Sequence, residues 1–114
     1  MSKINLRTAA LALLLGVSLG ANAGVVSFTA GRITNMLTYT TYGNGDIAIF
    51  TQFNAPGCDG VWFRTTEQNG KEIYAQLVAA QLAEKPMSML VYDDQLWSGS
   101  ASRFCRIYAI STTG

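Results

Sequence analysis

Histidine is absent from all 114 residues, and the chain carries only two cysteines and two prolines. Without histidine it lacks the usual nitrogen ligand for zinc or haem iron, and the base that a serine triad needs. Charge is scarce as well: acidic and basic residues make up 13% of the sequence, with a formal net charge of +1. So weak a field does not draw a protein to phosphate backbones or anionic lipid, which argues against a nucleic-acid partner. Long apolar runs are also missing. The longest, Ala9 to Gly20, covers 12 residues, well short of the ~20 that a membrane-crossing helix needs.

That run has a specific setting. Lys3 and Arg7 precede it, and the small-x-small triplet Ala21-Asn22-Ala23 follows. This is the three-part layout of a secretory signal peptide, with cleavage expected after Ala23. Loss of Lys3 and Arg7 leaves six basic against seven acidic residues, a net charge of −1. The mature chain, residues 24–114, is then expected to be one soluble domain, secreted or periplasmic, with no membrane span.

Cys58 and Cys105 both lie in the mature part, 47 residues apart. An even cysteine count in a short exported chain reads as a disulfide. Closing a loop of that length stabilises a fold by roughly 4 kcal/mol in the chain-entropy picture, a large term for a domain with a small core. Paired reactive thiols would need a Cys-x-x-Cys spacing or a neighbouring base, and neither exists. No cofactor or metal site is expected.

The segment Val25 to Thr41 is rich in β-branched and aromatic residues and suits a long strand, bent where Gly31 permits. Tyr42-Gly43-Asn44-Gly45-Asp46 has turn chemistry, and Asp46 to Phe53 reads as the second strand of a hairpin. After the turn Asn54-Ala55-Pro56-Gly57, a third strand is expected from Cys58 to Thr65. The apolar period then changes. Ile73, Tyr74, Leu77, Val78 and Leu82 fall on one stripe of a helix over Lys71–Lys85. Asn69 is its expected N-cap, Glu72 lies in its first turn, Lys85 in its last, and Pro86 stops it. Met87 to Tyr92 returns to strand, Asp93 to Ser100 reads as a loop, and Arg103 to Ile110 is the final strand. Along it Phe104, Arg106, Tyr108 and Ile110 face one way, Cys105, Ile107 and Ala109 the other.

The order β-β-β-α-β-β, mainly β with one helix, matches the OB-fold, a five-stranded Greek-key barrel; small α+β sheets with other connections share that order. In the barrel the third and fifth strands run parallel side by side. Cys58 and Cys105 would then face each other at one end, within the ~7 Å Cα separation that a disulfide tolerates.

Four elements carry a family likeness: Gly31-Arg32-Ile33, Gly43-Asn44-Gly45-Asp46, Cys58-Asp59-Gly60-Val61-Trp62-Phe63 and Cys105-Arg106-Ile107-Tyr108-Ala109-Ile110. With the leader, the Gly-Val-Val start and the Trp97 loop, the chain resembles the B subunit of subtilase cytotoxin and its small exported relatives. The resemblance implies an OB-fold subunit that assembles into a ring of five and binds surface glycans for an enzymatic partner. That toxin subunit contacts sialic acid partly through a serine just before its Gly-Val-Val segment. Ala23 stands there in this chain, so the resemblance transfers the fold and no sugar-contacting residue.

Among the side chains, Asp93-Asp94 is the only adjacent acidic pair. Strand neighbours point to opposite faces and would not converge as acid and base, so no enzymatic activity is expected. Binding suits the composition better. Tyr92, Asp93, Asp94, Gln95, Trp97 and Ser98 combine aromatic faces for sugar C–H surfaces with acids and amides for hydroxyl groups. In the barrel they form the loop between the fourth and fifth strands, which OB-folds use together with the first hairpin loop. The competing reading has Trp97 folded back as a cap on the barrel and Tyr92 in strand packing. Trp62 and Phe63 alternate along a strand, one expected in the core and the other at a subunit contact. The chain therefore reads as an exported binding subunit for a glycan or protein ligand. The alternative is a periplasmic structural or inhibitory domain with one protein partner.

Overall fold

A computed structural model describes residues 24–112; the expected signal peptide lies outside the described residues. The element order is β1 (Val25–Gly31), β2 (Ile33–Thr38), β3 (Asp46–Thr51), β4 (Gly60–Arg64), α1 (Gly70–Leu82), β5 (Met87–Leu96) and β6 (Phe104–Thr112). These strands form a single sheet in the order β1-β5-β6-β4-β3-β2. Its two outer members, β1 and β2, are halves of one bent strand, so the sheet closes on itself as the five-stranded OB barrel. The bend falls at Gly31, whose φ is +72° and where a Cβ would run into the Gln52 and Phe53 side chains. Backbone bonds from Gln52 N–H to Arg32 O (2.9 Å) and from Phe53 N–H to Ala30 O (3.0 Å) hold it.

β4 and β6 pair in parallel, Val61 opposite Cys105, and Cys58 is bonded to Cys105 with Cα atoms 5.8 Å apart. The expected staple is therefore present, although Cys58 precedes β4 rather than opening it. It closes the Ala55–Cys58 turn, where Gly57 takes φ +77° and Cys58 N–H donates to Ala55 O at 3.0 Å. Arg103 ties the same corner together. Its Nε donates to Gly57 O at 2.7 Å, and its backbone N–H to the Asp59 carboxylate at 2.9 Å.

The barrel interior is filled by Ile47, Ile49, Val61, Phe63, Met89, Val91, Cys105 and Ile107, with Leu77 of α1 closing one mouth. A second, smaller cluster lies on the outer side of the same strands: Ala48, Trp62, Trp97 and Phe104, with Leu37 and Phe50 against it. Trp62 points outward from β4 as alternation requires, but it is not available as a subunit contact. It is 4% exposed, its Nε1–H donates to Gln95 O at 3.1 Å, and the Arg64 and Arg106 guanidiniums sit 5.0 and 5.6 Å from its ring centroid.

Three further expectations change. The helix ends at Leu82 rather than Lys85. Glu84 adopts φ +55°, and the N–H groups of Glu84 and Lys85 return to Gln81 O (3.2 Å) and Ala80 O (2.9 Å), a Schellman closure that leaves Lys85 beyond the last turn. Its buried stripe is Gly70, Leu77 and Ala80 with Ile73 against the core, while Tyr74 and Leu82 are exposed, because α1 meets the barrel over one mouth only. Asn69 is the N-cap, as expected: its C=O accepts from Ile73 N–H at 3.0 Å, although it makes no side-chain cap bond and sits in the left-handed region at φ +60°. Finally, β5 continues to Leu96, absorbing half of the expected loop, because Asp93 N–H finds Gly24 O at 2.6 Å and Leu96 pairs with Cys105 of β6.

Candidate functional site

A concavity of about 550 Å³ runs between the start of α1 and the outer face of β5–β6. Its floor is apolar, from Ile73 and Ile110, and its rim is polar, from Glu67, Gln68, Asn69, Gln76, Gln95 and Arg106. The β4–α1 turn that forms one rim is held tightly. A Cβ on Gly70 would overlap the backbone of Arg64 and Thr65, and Gly70 N–H donates to Glu67 O at 2.9 Å. Glu67 is thereby aimed at Arg106, with which it forms a hydrogen-bonded ion pair. Arg106 also donates to Gln95 Oε1 at 3.2 Å. Opposite stands an aromatic wall: Tyr92 and Tyr108 meet edge to face with centroids 5.2 Å apart, and Tyr108 is 55% exposed.

The concavity thus combines an apolar floor, an exposed aromatic ring and a rim of amides around a paired guanidinium and carboxylate. Ring faces take C–H groups, and the amides can donate and accept on either side. Among the described residues there is no group of three or more His, Cys, Asp or Glu able to hold a metal ion. No described helix is long and apolar enough to cross a membrane.

The six residues expected to bind ligand from the sequence are divided by the structure. Tyr92 and Gln95 line this groove. Asp93 and Asp94 stay with the β1 edge: Asp93 N–H is bonded to Gly24 O, and the Asp94 carboxylate lies against Gly24. Ser98 is exposed at the far end of the barrel. Trp97, expected in an exposed loop, is instead packed down at 4% exposure, and its Nε1–H donates to the buried Asp46 carboxylate at 2.9 Å. It is folded back, as the competing reading expected, but onto the outer cluster of Ala48, Trp62 and Phe104 rather than over the barrel. Glu67, Arg106 and Tyr108 were not singled out by sequence reasoning. The outward alternation of Arg106 and Tyr108 along the last strand was their only signal.

By sequence, no family model matches the chain, and no curated protein matches it. Solved structures do share its fold. A human heat-labile enterotoxin in complex with a blood group A antigen analog aligns with a TM-score of 0.56 at 13% identity, covering 80% of this chain and 87% of that one. A porcine E. coli heat-labile enterotoxin B-pentamer in complex with lacto-N-neohexaose gives 0.55 at 13% identity with the same coverage. A porcine heat-labile enterotoxin bound to an inhibitor gives 0.52 at 14% identity. The chain therefore has the OB-fold of toxin B subunits.

Proposed function

We propose that this chain is an exported, non-catalytic binding subunit that assembles with copies of itself and holds a glycan in the groove between α1 and β5–β6. The observation that carries the reading is the groove's composition: the Tyr92–Tyr108 wall and the Arg106–Glu67–Gln95 rim over an apolar floor. Two considerations support it. Enterotoxins with this fold are seen with a blood group A antigen analog and with lacto-N-neohexaose, the latter as a B-pentamer. The resemblance to the subtilase cytotoxin B subunit leads to the same class of ligand and to a ring of five.

A glycan array probed with the purified protein, together with light scattering, tests the proposal. Binding to a subset of glycans by an oligomer is expected, with Tyr108→Ala weakening it about three- to tenfold, the range for one aromatic contact. A strictly monomeric protein that binds no glycan refutes it. Capture of a single envelope protein by both wild type and Tyr108→Ala would favour the structural or inhibitory domain instead.

A further inference from the structure

The structure assigns a self-modification site to the turn at the far end of the barrel, where Asn44 is set to lose its side-chain amide and become aspartate or isoaspartate. The sequence contains two Asn-Gly pairs, Asn44-Gly45 and Asn69-Gly70. In such a pair the glycine nitrogen can attack the preceding Asn Cγ, since glycine has no side chain to obstruct the approach. Both Asn backbone carbonyls accept a hydrogen bond, Asn44 O from Thr66 Oγ1 at 2.7 Å and Asn69 O from Ile73 N–H at 3.0 Å. Each bond would support the negative charge that a deprotonated peptide places on that oxygen. The two pairs differ at the nitrogen.

Gly70 N–H is bound to Glu67 O at 2.9 Å, Gly70 is buried at the first turn of α1, and Arg64 and Thr65 backbone is packed against its Cα. Ring closure at Asn69 must break that bond and open the start of the helix. Asn44 is exposed in a turn outside the strands. Neither its side chain nor Gly45 N–H is hydrogen-bonded among the described residues. The turn also requires its glycine: Gly45 has φ +77°, and a Cβ there would overlap Thr65 Oγ1. The reactive pair is therefore built into the hairpin.

The chemistry needs only water. Gly45 N gives up its proton and bonds to Asn44 Cγ, and the side-chain nitrogen leaves as ammonia. Water then opens the five-membered succinimide. Attack at Cγ yields aspartate; attack at the backbone carbonyl carbon yields isoaspartate, with Cγ now carrying the peptide bond and one more atom in the main chain. Either product reaches the anchor of an aromatic corner, where residues 39–45 meet residues 97–103. Tyr39 and Tyr42 lie 5.5 and 5.8 Å from the Trp97 ring. Asp46, 1% exposed, accepts from Trp97 Nε1 and Arg64 Nε, both at 2.9 Å, and from Asn44 N–H at 3.3 Å. Aspartate at position 44 sets a second carboxylate beside that one, and like charges compete for Arg64. Isoaspartate lengthens the turn and draws the Asn44 N–H away from Asp46. The site thus acts as a one-way timer that loosens the corner as the protein ages, independently of the groove beside α1.

Peptide mapping of the purified protein, held for weeks at mildly alkaline pH, tests it. Trypsin separates the two pairs, since Arg64 lies between them. Conversion at Asn44, with isoaspartate among the products, should run about tenfold or more ahead of Asn69 in the folded protein. The two should convert at equal rates in the reduced chain in urea. Aged wild type should exchange its Trp97 indole N–H faster than fresh protein. Asn44→Gln, whose longer side chain closes the ring far more slowly, should not change with age. If that variant fails to fold, fresh and aged wild type decide alone. Equal rates at Asn44 and Asn69 in the folded protein overturn the site, as does an intact Asn44 amide when the urea control has converted. Conversion at Asn44 that leaves Trp97 exchange unchanged overturns the timer.

Discussion

The groove beside α1 and the aromatic corner at the barrel end are built on the same strands and separated by one side chain, Trp62, yet they are held in opposite ways. The corner hangs on Asp46, a carboxylate withdrawn from water and met by three donors from three segments of chain. The groove's central pair, Arg106 and Glu67, keeps part of each side chain in solvent, at 30% and 20% exposure. A buried carboxylate left with its donors unmatched is costly, whereas a half-exposed pair is screened and replaceable by water. The corner should therefore be a preformed platform, and the groove a surface that adjusts to what it binds.

The largest test of that contrast is the disulfide, which braces the corner's side of the barrel. Replacing both cysteines with serine should lower stability by roughly 4 kcal/mol, read from urea denaturation. Hydrogen exchange would then show residues 97–104 losing protection before those of α1. Equal loss in both regions would mean that the staple serves the whole barrel alike. Next is Asp46→Ala against Glu67→Ala. The first strands Trp97 Nε1–H and Arg64 without their acceptor and should cost about 3 kcal/mol. The second should cost about 1 kcal/mol or less. If the two losses were similar, the contrast drawn here would fail.

Most of the barrel was legible because its signals are local or pairwise. Gly31 marks the bend, Pro56-Gly57 the turn, and the cysteine spacing agrees with parallel third and fifth strands. What escaped depends on partners far along the chain. Trp97 sits among Asp, Gln and Ser and reads as exposed, but its partner Asp46 is 51 residues away. Trp62 alternates outward correctly, and only the end of β5 and the two arginines over its ring decide that it is buried. The Asp93–Leu96 stretch looks like loop by composition. It becomes strand because Gly24 O accepts from Asp93 N–H and Leu96 pairs with Cys105 of β6. The candidate site suffered most from this: six neighbours in sequence were treated as one surface, and alternation together with a tightly packed turn sent them to three places.

The smallest expected effect is also the sharpest. Tyr42→Phe removes one hydroxyl from an exposed position and, with it, the bond to Ser98 that joins the two loops. A single exposed neutral hydrogen bond contributes about 0.5–1 kcal/mol, so the thermal midpoint should barely move. The ring itself stays against Trp97, since their edge-to-face packing does not involve the hydroxyl. If the corner is preformed by Asp46, the Trp97 indole N–H resonance should keep its shift and its slow exchange in this variant. Should that resonance broaden or exchange freely, the loops would be held by their rim rather than by the buried carboxylate. The corner would then be as adaptable as the groove.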